Sequence, residues 1–368
     1  MRGLLKNTDY VLIVLAVVLV VIGIVGIYSA GFNSTDNTEY QKQMIWFGVG
    51  LIVMGITWVI DYNLLGKLSY VGYGIFVALL IAVLFTTPIN NATSWFDLGF
   101  FKFQPSELMK IVYILLLAKI LDGINTKGKK QINKISNLLG VLFVFIVPFL
   151  LTIKQPDFGT AIVFLFITIV MIFKAGISYK YILIGLVLIL ALAPLVYNFV
   201  LSEYQQNRIK VFLNPELDPL DTGYNAIQSK IAIGAGKIFG TGLLQGTQTQ
   251  FGYLPVKSSD FIFSAISEEM GFVASAAIVV IYTIMIIRMI NISNTSKDNF
   301  GSLVAIGIAG MYMFHLIENV GMTMGLLPIT GIPLLLVSYG GSSMLTSFIS
   351  LGLLLSISGR RQRSLFVG

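Results

Sequence analysis

The sequence has 368 residues, of which 56% are hydrophobic and 11% charged, and its mean hydropathy is +0.87. Soluble chains carry roughly a quarter charged residues, so the composition predicts a single transmembrane domain over residues 1–368 rather than a soluble one. The net charge of +7 does not indicate nucleic-acid binding, because the basic residues are scattered at helix ends. The chain has no cysteine and a single histidine, His315. Carboxylates, lysines and arginines are therefore left to carry any chemistry.

Apolar runs recur along the whole chain, and each is long enough to cross a hydrocarbon core of about 30 Å as a helix. The first run is longer than the core of a signal peptide, so we expect it to be retained. The pattern predicts an all-α polytopic membrane protein of about ten transmembrane helices. The predicted spans are residues 10–30, 44–60, 68–87, 106–121, 137–153, 159–175, 181–200, 261–290, 302–322 and 332–358.

The basic residues predict the orientation of these spans. An even number of spans puts both termini on one side of the membrane, and cytoplasmic loops carry the excess of Lys and Arg. The connections on the side opposite the termini, apart from the long one after the seventh span, hold only Lys42, Lys102 and Lys154. Both termini and residues 122–136 are therefore predicted to be cytoplasmic. The longest connection, residues 201–259 between the seventh and eighth spans, is then extracellular.

That long connection contains the glycine-rich sequence AIGAGKIFGTG at residues 232–242. Its glycines resemble a phosphate-binding loop, but no strand precedes them and the spacing of that motif is missing. We interpret them as sites of close packing near the membrane. Residues 228–238 are predicted to form a short amphipathic or re-entrant helix lying on the bundle.

Ionisable residues inside apolar spans usually face a cavity or one another. Glu107 and Lys110 are three residues apart, so they share a helical face where opposite charges can pair. This pattern fits a structural ion pair and a substrate-orienting cavity wall equally well. The lone His315, on an apolar stretch, is interpreted as a hydrogen-bonded core residue.

Asp260 begins the eighth span, and helical steps of three and four predict a polar stripe running inward from it. The stripe comprises Ser264, Ser267, Glu268, Gly271 and Ser275. Taken alone, the position favours a helix-capping role for Asp260 over a catalytic one. Asp157, between the fifth and sixth spans, fits a cap of the sixth helix. In the last span, VSYGGSS indicates close helix packing.

Several long motifs, taken in order, resemble the SEDS family of shape, elongation, division and sporulation proteins. They are FQPSELMK (103–110), KQPDFGT (154–160), NRI (207–209), YNAIQSKIAIGAGKIFGTG (224–242), LPVKSSDFIFSAISEEMGF (254–272) and LLPITGIPLLLVSYGGSS (326–343). The stretch GLLQGTQTQFGYLP at 242–255 resembles the elongation branch of the family. Leu335 departs from the family pattern, which usually has a second proline there.

The resemblance implies a peptidoglycan glycosyltransferase that polymerises lipid II on the outer face of the bacterial cytoplasmic (inner) membrane. Its implied partners are a class B penicillin-binding protein, which crosslinks the product, and other proteins of the elongation machinery. The resemblance implies a catalytic role for Asp260, in the family's DFIF motif. It also implies that Glu107 and Lys110 lie beside a central cavity and that Trp95, Asp157 and Arg208 fall in motif regions.

Joining a sugar hydroxyl to the anomeric carbon of a lipid diphosphate requires a base and positive charge for the departing diphosphate. We expect Asp260 to be the base. The positive charge is expected from Arg208 and Lys237, or from a divalent cation (Mg²⁺ or Mn²⁺) with Asp260 as a ligand. Two other functions fit the sequence: a lipid II flippase or transporter, and a non-catalytic scaffold for the penicillin-binding protein.

Overall fold

The structure, a computed structural model, describes residues 2–33, 38–88, 92–99, 101–128, 131–199, 203–218 and 222–361. These residues form an all-helical bundle with one two-stranded hairpin, in which β1 (Phe96–Asp97) pairs antiparallel with β2 (Lys102–Phe103). The helices of the described chain are α1 Arg2–Asn7, α2 Tyr10–Gly31, α3 Glu39–Val59, α4 Tyr62–Ala82, α5 Pro105–Asn125, α6 Ile135–Lys154, α7 Phe158–Lys174, α8 Tyr179–Phe199, α9 Glu203–Leu213, α10 Thr222–Ala235, α11 Thr247–Gln250, α12 Ile262–Asn294, α13 Asn299–Thr323 and α14 Gly341–Gly359.

Each predicted span overlaps one of the long helices: α2 to α8 and α12 to α14. Seven helices within the described ranges are long and apolar enough to cross a membrane. The chain is therefore a multi-pass membrane protein. The shortest of the ten, α7, has 17 residues, and α5 carries Glu107, Lys110, Lys119 and Asp122. The count of ten crossings stays a prediction.

Hydrogen bonds group the connections between helices into the two sets that the alternation of spans predicts. At one end of the bundle, the described contacts are Arg288–Asp9 (3.2 Å), Asn299–Asp122 (3.0 Å) and Lys174–Asn294 (2.8 Å). At the other end they are Gln104–Asp157 (3.0 Å), Gln43 to the carbonyl of Ser338 (3.0 Å) and the amide of Tyr339 to the carbonyl of Ser258 (2.9 Å). The second set includes the end of the long connection. Parts of the segments used in the orientation argument lie outside the described residues: 129–130 of the loop 122–136, 201–202 and 219–221 of the long connection, and 362–368 at the C-terminus.

The glycine-rich stretch packs against the first half of α12. A Cβ on Gly236 would lie 1.8 Å from the carbonyl oxygen of Ser267, and one on Gly240 would lie 2.1 Å from that of Glu269. Close packing is therefore confirmed for these two glycines. A helix is present where residues 228–238 were predicted to form one, but its bounds differ. Helix α10 runs from Thr222 to Ala235, and the chain turns after it where Gly236 meets α12.

The predicted continuous polar face of the eighth span was wrong at Gly271. This residue adopts φ 76° and ψ −172° inside α12, a conformation that favours glycine. A Cβ there would lie 2.2 Å from the amide nitrogen of Gly240. Ser264 and Ser267 are buried in contacts with Ser229 of α10 and with Ser275, both at 2.7 Å. Ser264 therefore joins α12 to α10 of the long connection, whereas the Ser267–Ser275 contact joins the two parts of α12 across Gly271.

The start of the predicted last span was also wrong. Helix α14 begins at Gly341, and residues 329–340, which we call the wall segment, follow an irregular path. Gly331 and Leu336 have φ of 75° and 67°, and Pro333 has no backbone N–H, so a regular helix is disfavoured there. The wall segment instead packs against α13 and Ser258–Ser259.

Candidate functional site

A cavity of about 470 Å³ lies at the end of the bundle where the wall segment meets Asp260. Its size falls within the range of roughly 300–1,000 Å³ that is usual for ligand sites. The lining comes from the start of α3, the β1–β2 hairpin, the end of the long connection and the wall segment with the start of α14. The charged lining residues are Glu39, Lys42, Asp97, Lys102 and Asp260.

Asp260 is held in this cavity by its neighbours on both sides. The side-chain amide of Asn319 on α13 donates 2.9 Å to the backbone carbonyl of Asp260. A Cβ on Gly331 would lie 3.2 Å from Oδ2 of Asp260. The predicted capping role was wrong: Phe261 is the N-cap of α12, and no side chain of the described residues caps it. Asp260 is therefore free of the helix-end role that its sequence position favoured.

The environment of Asp260 raises the pKa of its carboxyl above that of an ordinary aspartate. Burial raises the pKa of its carboxyl, and the negative charge of Asp157 adds to the increase. A hydrogen bond with Ser259 and the positive charge of Arg208 act in the opposite direction. A carboxylate whose pKa is raised toward the working pH is suited to general-base chemistry.

Lys42 and Lys102 supply positive charge to the cavity. Lys42 lies in the second turn of α3, and both lysines are exposed. Lys102 pairs across the β1–β2 hairpin with Asp97. The aromatic residues Trp46 and Trp95 also line the cavity, and Trp46 contacts Phe101 with a centroid separation of 4.8 Å. Trp95, predicted as a site residue, is therefore placed in the same cavity as Asp260.

The predicted ion pair of Glu107 and Lys110 is confirmed. Lys110 Nζ donates 2.7 Å to Glu107 Oε1, and both side chains are buried. Lys110 Nζ also lies 3.1 Å from His315 Nε2, which confirms His315 as a hydrogen-bonded core residue. Neither charged residue is among the described cavity-lining residues. The pair reaches the cavity indirectly, because His315 contacts the carbonyl of Pro333, which does line it.

The other predicted site residues are not among the described lining residues of the cavity. Asp157 caps α7, accepting a hydrogen bond of 3.1 Å from the amide of Thr160, which confirms the capping interpretation. Arg208 lines a separate, smaller cavity beside α10, although its charge reaches Asp260. Lys237 is exposed at the turn after α10. Substrate roles for these three residues stay predictions.

A divalent cation also stays a prediction. Magnesium and manganese prefer several oxygen ligands, and Glu39, Asp97 and Asp260 supply carboxylates to the cavity. Within the described ranges, however, no group of three His, Cys, Asp or Glu side chains lies close enough to hold a metal ion. The donor set does not fit a preformed metal centre, so the chemistry below uses side chains alone.

The sequence interpretation did not place Lys42, Lys102 or Asn319 at the site, where the first two line the cavity and the third contacts Asp260. Lys42 and Lys102 were used only to orient the membrane spans, although each lies within a few residues of a tryptophan of the cavity. A basic residue close to a tryptophan in a connection on the side opposite the termini was the available signal. Asn319 is a single polar residue in an apolar helix, and a lone asparagine does not indicate its partners.

Comparisons with known proteins agree with this architecture. Residues 9–363 match the model of a family described as "Cell cycle protein", which covers FtsW, RodA and SpoVE. The peptidoglycan glycosyltransferase RodA of Treponema pallidum is 36% identical, with 98% of this chain and 99% of that protein covered. The peptidoglycan glycosyltransferase MrdB of Escherichia coli is 33% identical, with 97% and 95% covered.

Solved structures show the same fold. A chain of a peptidoglycan synthase complex that coordinates polymerization and crosslinking has a TM-score of 0.82 at 30% identity, covering 95% of this chain and 97% of that one. The rod shape determining protein RodA of Thermus thermophilus has a TM-score of 0.72 at 28% identity, covering 96% and 97%. This chain belongs to the FtsW, RodA and SpoVE family of cell cycle proteins, the SEDS family.

Proposed function

We propose that the protein is a peptidoglycan glycosyltransferase that polymerises lipid II into glycan strands during cell elongation. The observation that carries this proposal is the placement of Asp260, a carboxylate with a raised pKa, in a cavity with Lys42 and Lys102. Relatives with over 90% mutual coverage bear the name peptidoglycan glycosyltransferase. An acid–base group and positive charge are the two requirements of the reaction.

In the proposed reaction, a sugar hydroxyl oxygen of the acceptor attacks the anomeric carbon of the lipid-diphosphate donor. The bond from that carbon to the phosphate oxygen breaks, and the diphosphate leaves with the bonding electrons. Asp260 accepts the hydroxyl proton. Holding both sugars in one cavity lowers the entropic cost of bringing them together.

Positive charge for the diphosphate comes from Lys42 and Lys102 in this proposal. Charge-assisted hydrogen bonds from lysine to phosphate oxygens stabilise the negative charge that develops as the bond breaks. Both lysines line the same cavity as Asp260, whereas Lys237 is exposed at another turn and Arg208 lines another cavity. The geometry therefore favours Lys42 and Lys102 over the residues chosen from sequence.

The proposal places the cavity at the outer face of the cytoplasmic membrane, with both termini in the cytoplasm. The excess of Lys and Arg at the opposite end of the bundle supports this orientation. A class B penicillin-binding protein is the proposed partner. The similar chain from a complex that coordinates polymerization and crosslinking supports this pairing.

Purified protein, alone and with its partner, supplied with labelled lipid II tests this function. Glycan polymer that is lost in Asp260→Asn supports the enzyme. Translocation of lipid II across vesicles without polymer would support the flippase instead. Neither activity, with the partner still bound, would support a scaffold.

A further inference from the structure

Helix α13 holds the wall segment through three side chains on one face. His315, Glu318 and Asn319 are spaced by three and four residues, which places them together on a helix. Their described partners are consecutive or nearly so: Thr330 donates 2.7 Å to Glu318, Asn319 donates 2.8 Å to the carbonyl of Ile332, and His315 lies 2.8 Å from the carbonyl of Pro333. The wall segment is thus fixed on both sides of Gly331.

Asn319 connects the wall segment to Asp260. It is fully buried, and its amide nitrogen donates to the carbonyls of both Ile332 and Asp260, at 2.8 and 2.9 Å. A side-chain amide has two N–H donors, so both are used. The backbone of Asp260 and that of Ile332 are therefore held by one nitrogen atom. Gly331, the residue before Ile332, packs against the carboxylate of Asp260.

The contacts of His315 define its proton position. The carbonyl of Pro333 can only accept, so Nδ1 of His315 donates to it. Nε2 then carries the lone pair of a neutral ring and accepts from Lys110 at 3.1 Å. Lys110 is itself paired with Glu107 at 2.7 Å. The buried ion pair thus fixes the tautomer of His315, which in turn holds Pro333.

We propose that His315 and Asn319 are positioning residues that hold the wall segment and the backbone of Asp260, so that its carboxylate stays against Gly331 in the cavity. This inference rests on the proposed function. In this proposal the buried Glu107–Lys110 pair orients His315, although neither member of the pair is among the described lining residues. Neither His315 nor Asn319 is among the described lining residues, so both act through other groups.

Paired variants separate positioning from general stability. In His315→Asn, the new amide nitrogen lies near the place of Nδ1 and retains the donor to Pro333. His315→Gln places its amide near Nε2 and loses that donor. Asn319→Leu removes both donors and keeps the number and branching of the side-chain heavy atoms. Tyr312→Phe is the matched control: it removes two buried hydrogen bonds between α13 and α14, to the carbonyl of Ser347 (3.2 Å) and from the hydroxyl of Ser350 (3.3 Å), but leaves the wall segment alone.

Steady-state polymerisation of lipid II should show a loss in kcat of about tenfold or more for Asn319→Leu and His315→Gln, with KM changed much less. His315→Asn should retain most of the wild-type kcat. The acid limb of the kcat profile should move to lower pH in Asn319→Leu, because a loosened wall hydrates Asp260 and removes the burial that raises its pKa. The charged groups around Asp260 stay unchanged in these variants: Arg208, Asp157, Lys42, Glu39, Asp97 and Lys102.

Backbone hydrogen exchange distinguishes a failure of this inference from a failure of the proposed function. Amides of residues 258–261 and 330–334 should exchange faster in Asn319→Leu than in wild type or Tyr312→Phe, whether or not the protein polymerises lipid II. Unchanged exchange, or equal kcat in His315→Asn and His315→Gln, would overturn the positioning role. If wild type makes no polymer but the exchange differs as described, the proposed function fails and the positioning of Asp260 stands.

Discussion

Gly331 packs so closely on Asp260 that a Cβ added to it would lie 3.2 Å from the carboxylate oxygen Oδ2. The residue also has φ of +75°, which a side chain disfavours. The wall segment therefore depends on glycine at this position for two separate reasons. One concerns the backbone, and the other concerns the space beside the carboxylate.

Gly331→Ala is expected to lower polymerisation more than it lowers stability. The backbone penalty alone is about 1–2 kcal/mol, and the methyl group in addition displaces the Asp260 carboxylate. Gly176→Ala is the matched control, because Gly176 has φ of +91° but open space around its Cβ position. Melting temperatures and polymer yield of both variants check this. Equal loss of activity in the two would contradict a specific contact with Asp260.

Replacing Lys42 or Lys102 by Gln is expected to lower kcat/KM by about 10- to 100-fold, the equivalent of one charge-assisted hydrogen bond to the diphosphate. Lys237→Gln, at an exposed position outside the described lining, should change kcat/KM little. The measurement is polymerisation rate against lipid II concentration. A large effect of Lys237→Gln, with none from the changes at Lys42 and Lys102, would instead assign diphosphate binding to Lys237, as expected from the sequence.

Removing one member of the Glu107–Lys110 pair should destabilise the fold by about 3–5 kcal/mol, because it leaves an uncompensated buried charge. The double variant Glu107→Leu with Lys110→Met should recover much of that loss. Polymerisation should stay low in the double variant, since His315 loses the partner that fixes its tautomer. Thermal unfolding and polymer yield test both expectations, and full activity in the double variant would reduce the pair to a structural role.

The orientation can be tested in this cysteine-free chain with single cysteines and a membrane-impermeant thiol reagent. Lys237→Cys is expected to react from outside intact cells, and Lys297→Cys only after permeabilisation. Both side chains are exposed on the surface of the protein, so lack of reaction cannot be due to burial within the protein. The reverse labelling pattern would contradict the predicted topology and place the cavity on the cytoplasmic side of the membrane.

The apolar runs of the sequence predicted where the long helices lie, because a helix that crosses the bilayer needs about 20 apolar residues. It did not predict the break of α12 at Gly271 or the irregular wall segment. Both depend on contacts between distant parts of the chain, such as Gly271 with Gly240 and Asn319 with Asp260. Local propensity carries no information on such contacts.

The site was predicted in part. Asp260 and Trp95 share the cavity, but the motif resemblance was needed to prefer catalysis over capping at Asp260. The positive side chains of the site were expected from the long connection, whereas the lysines that line the cavity, Lys42 and Lys102, come from much earlier in the chain. Residues from four segments converge there only after folding, so spacing along the sequence could not identify them.

A catalytic base at Asp260, whose pKa burial raises, predicts an acid limb in the pH dependence of the reaction. If Asp260 acts as the base, activity is lost as pH falls through its pKa, which burial places above the ordinary aspartate value of about 3.9. Protonation of a group whose pKa is raised by folding favours the folded state. The contribution of Asp260 to stability should therefore not fall over the same interval. A fall in melting temperature that parallels the fall in activity would assign the limb to unfolding instead.

The most direct test of the central claim is lipid II polymerisation by purified Asp260→Asn and Asp260→Glu, measured beside their melting temperatures. The amide cannot accept the proton, so kcat should fall by roughly 10²- to 10⁴-fold with stability nearly unchanged. Asp260→Glu keeps the charge but moves it by one methylene against Gly331, so it should recover little. Near-normal polymerisation by a folded Asp260→Asn protein would contradict the assignment of Asp260 as the base.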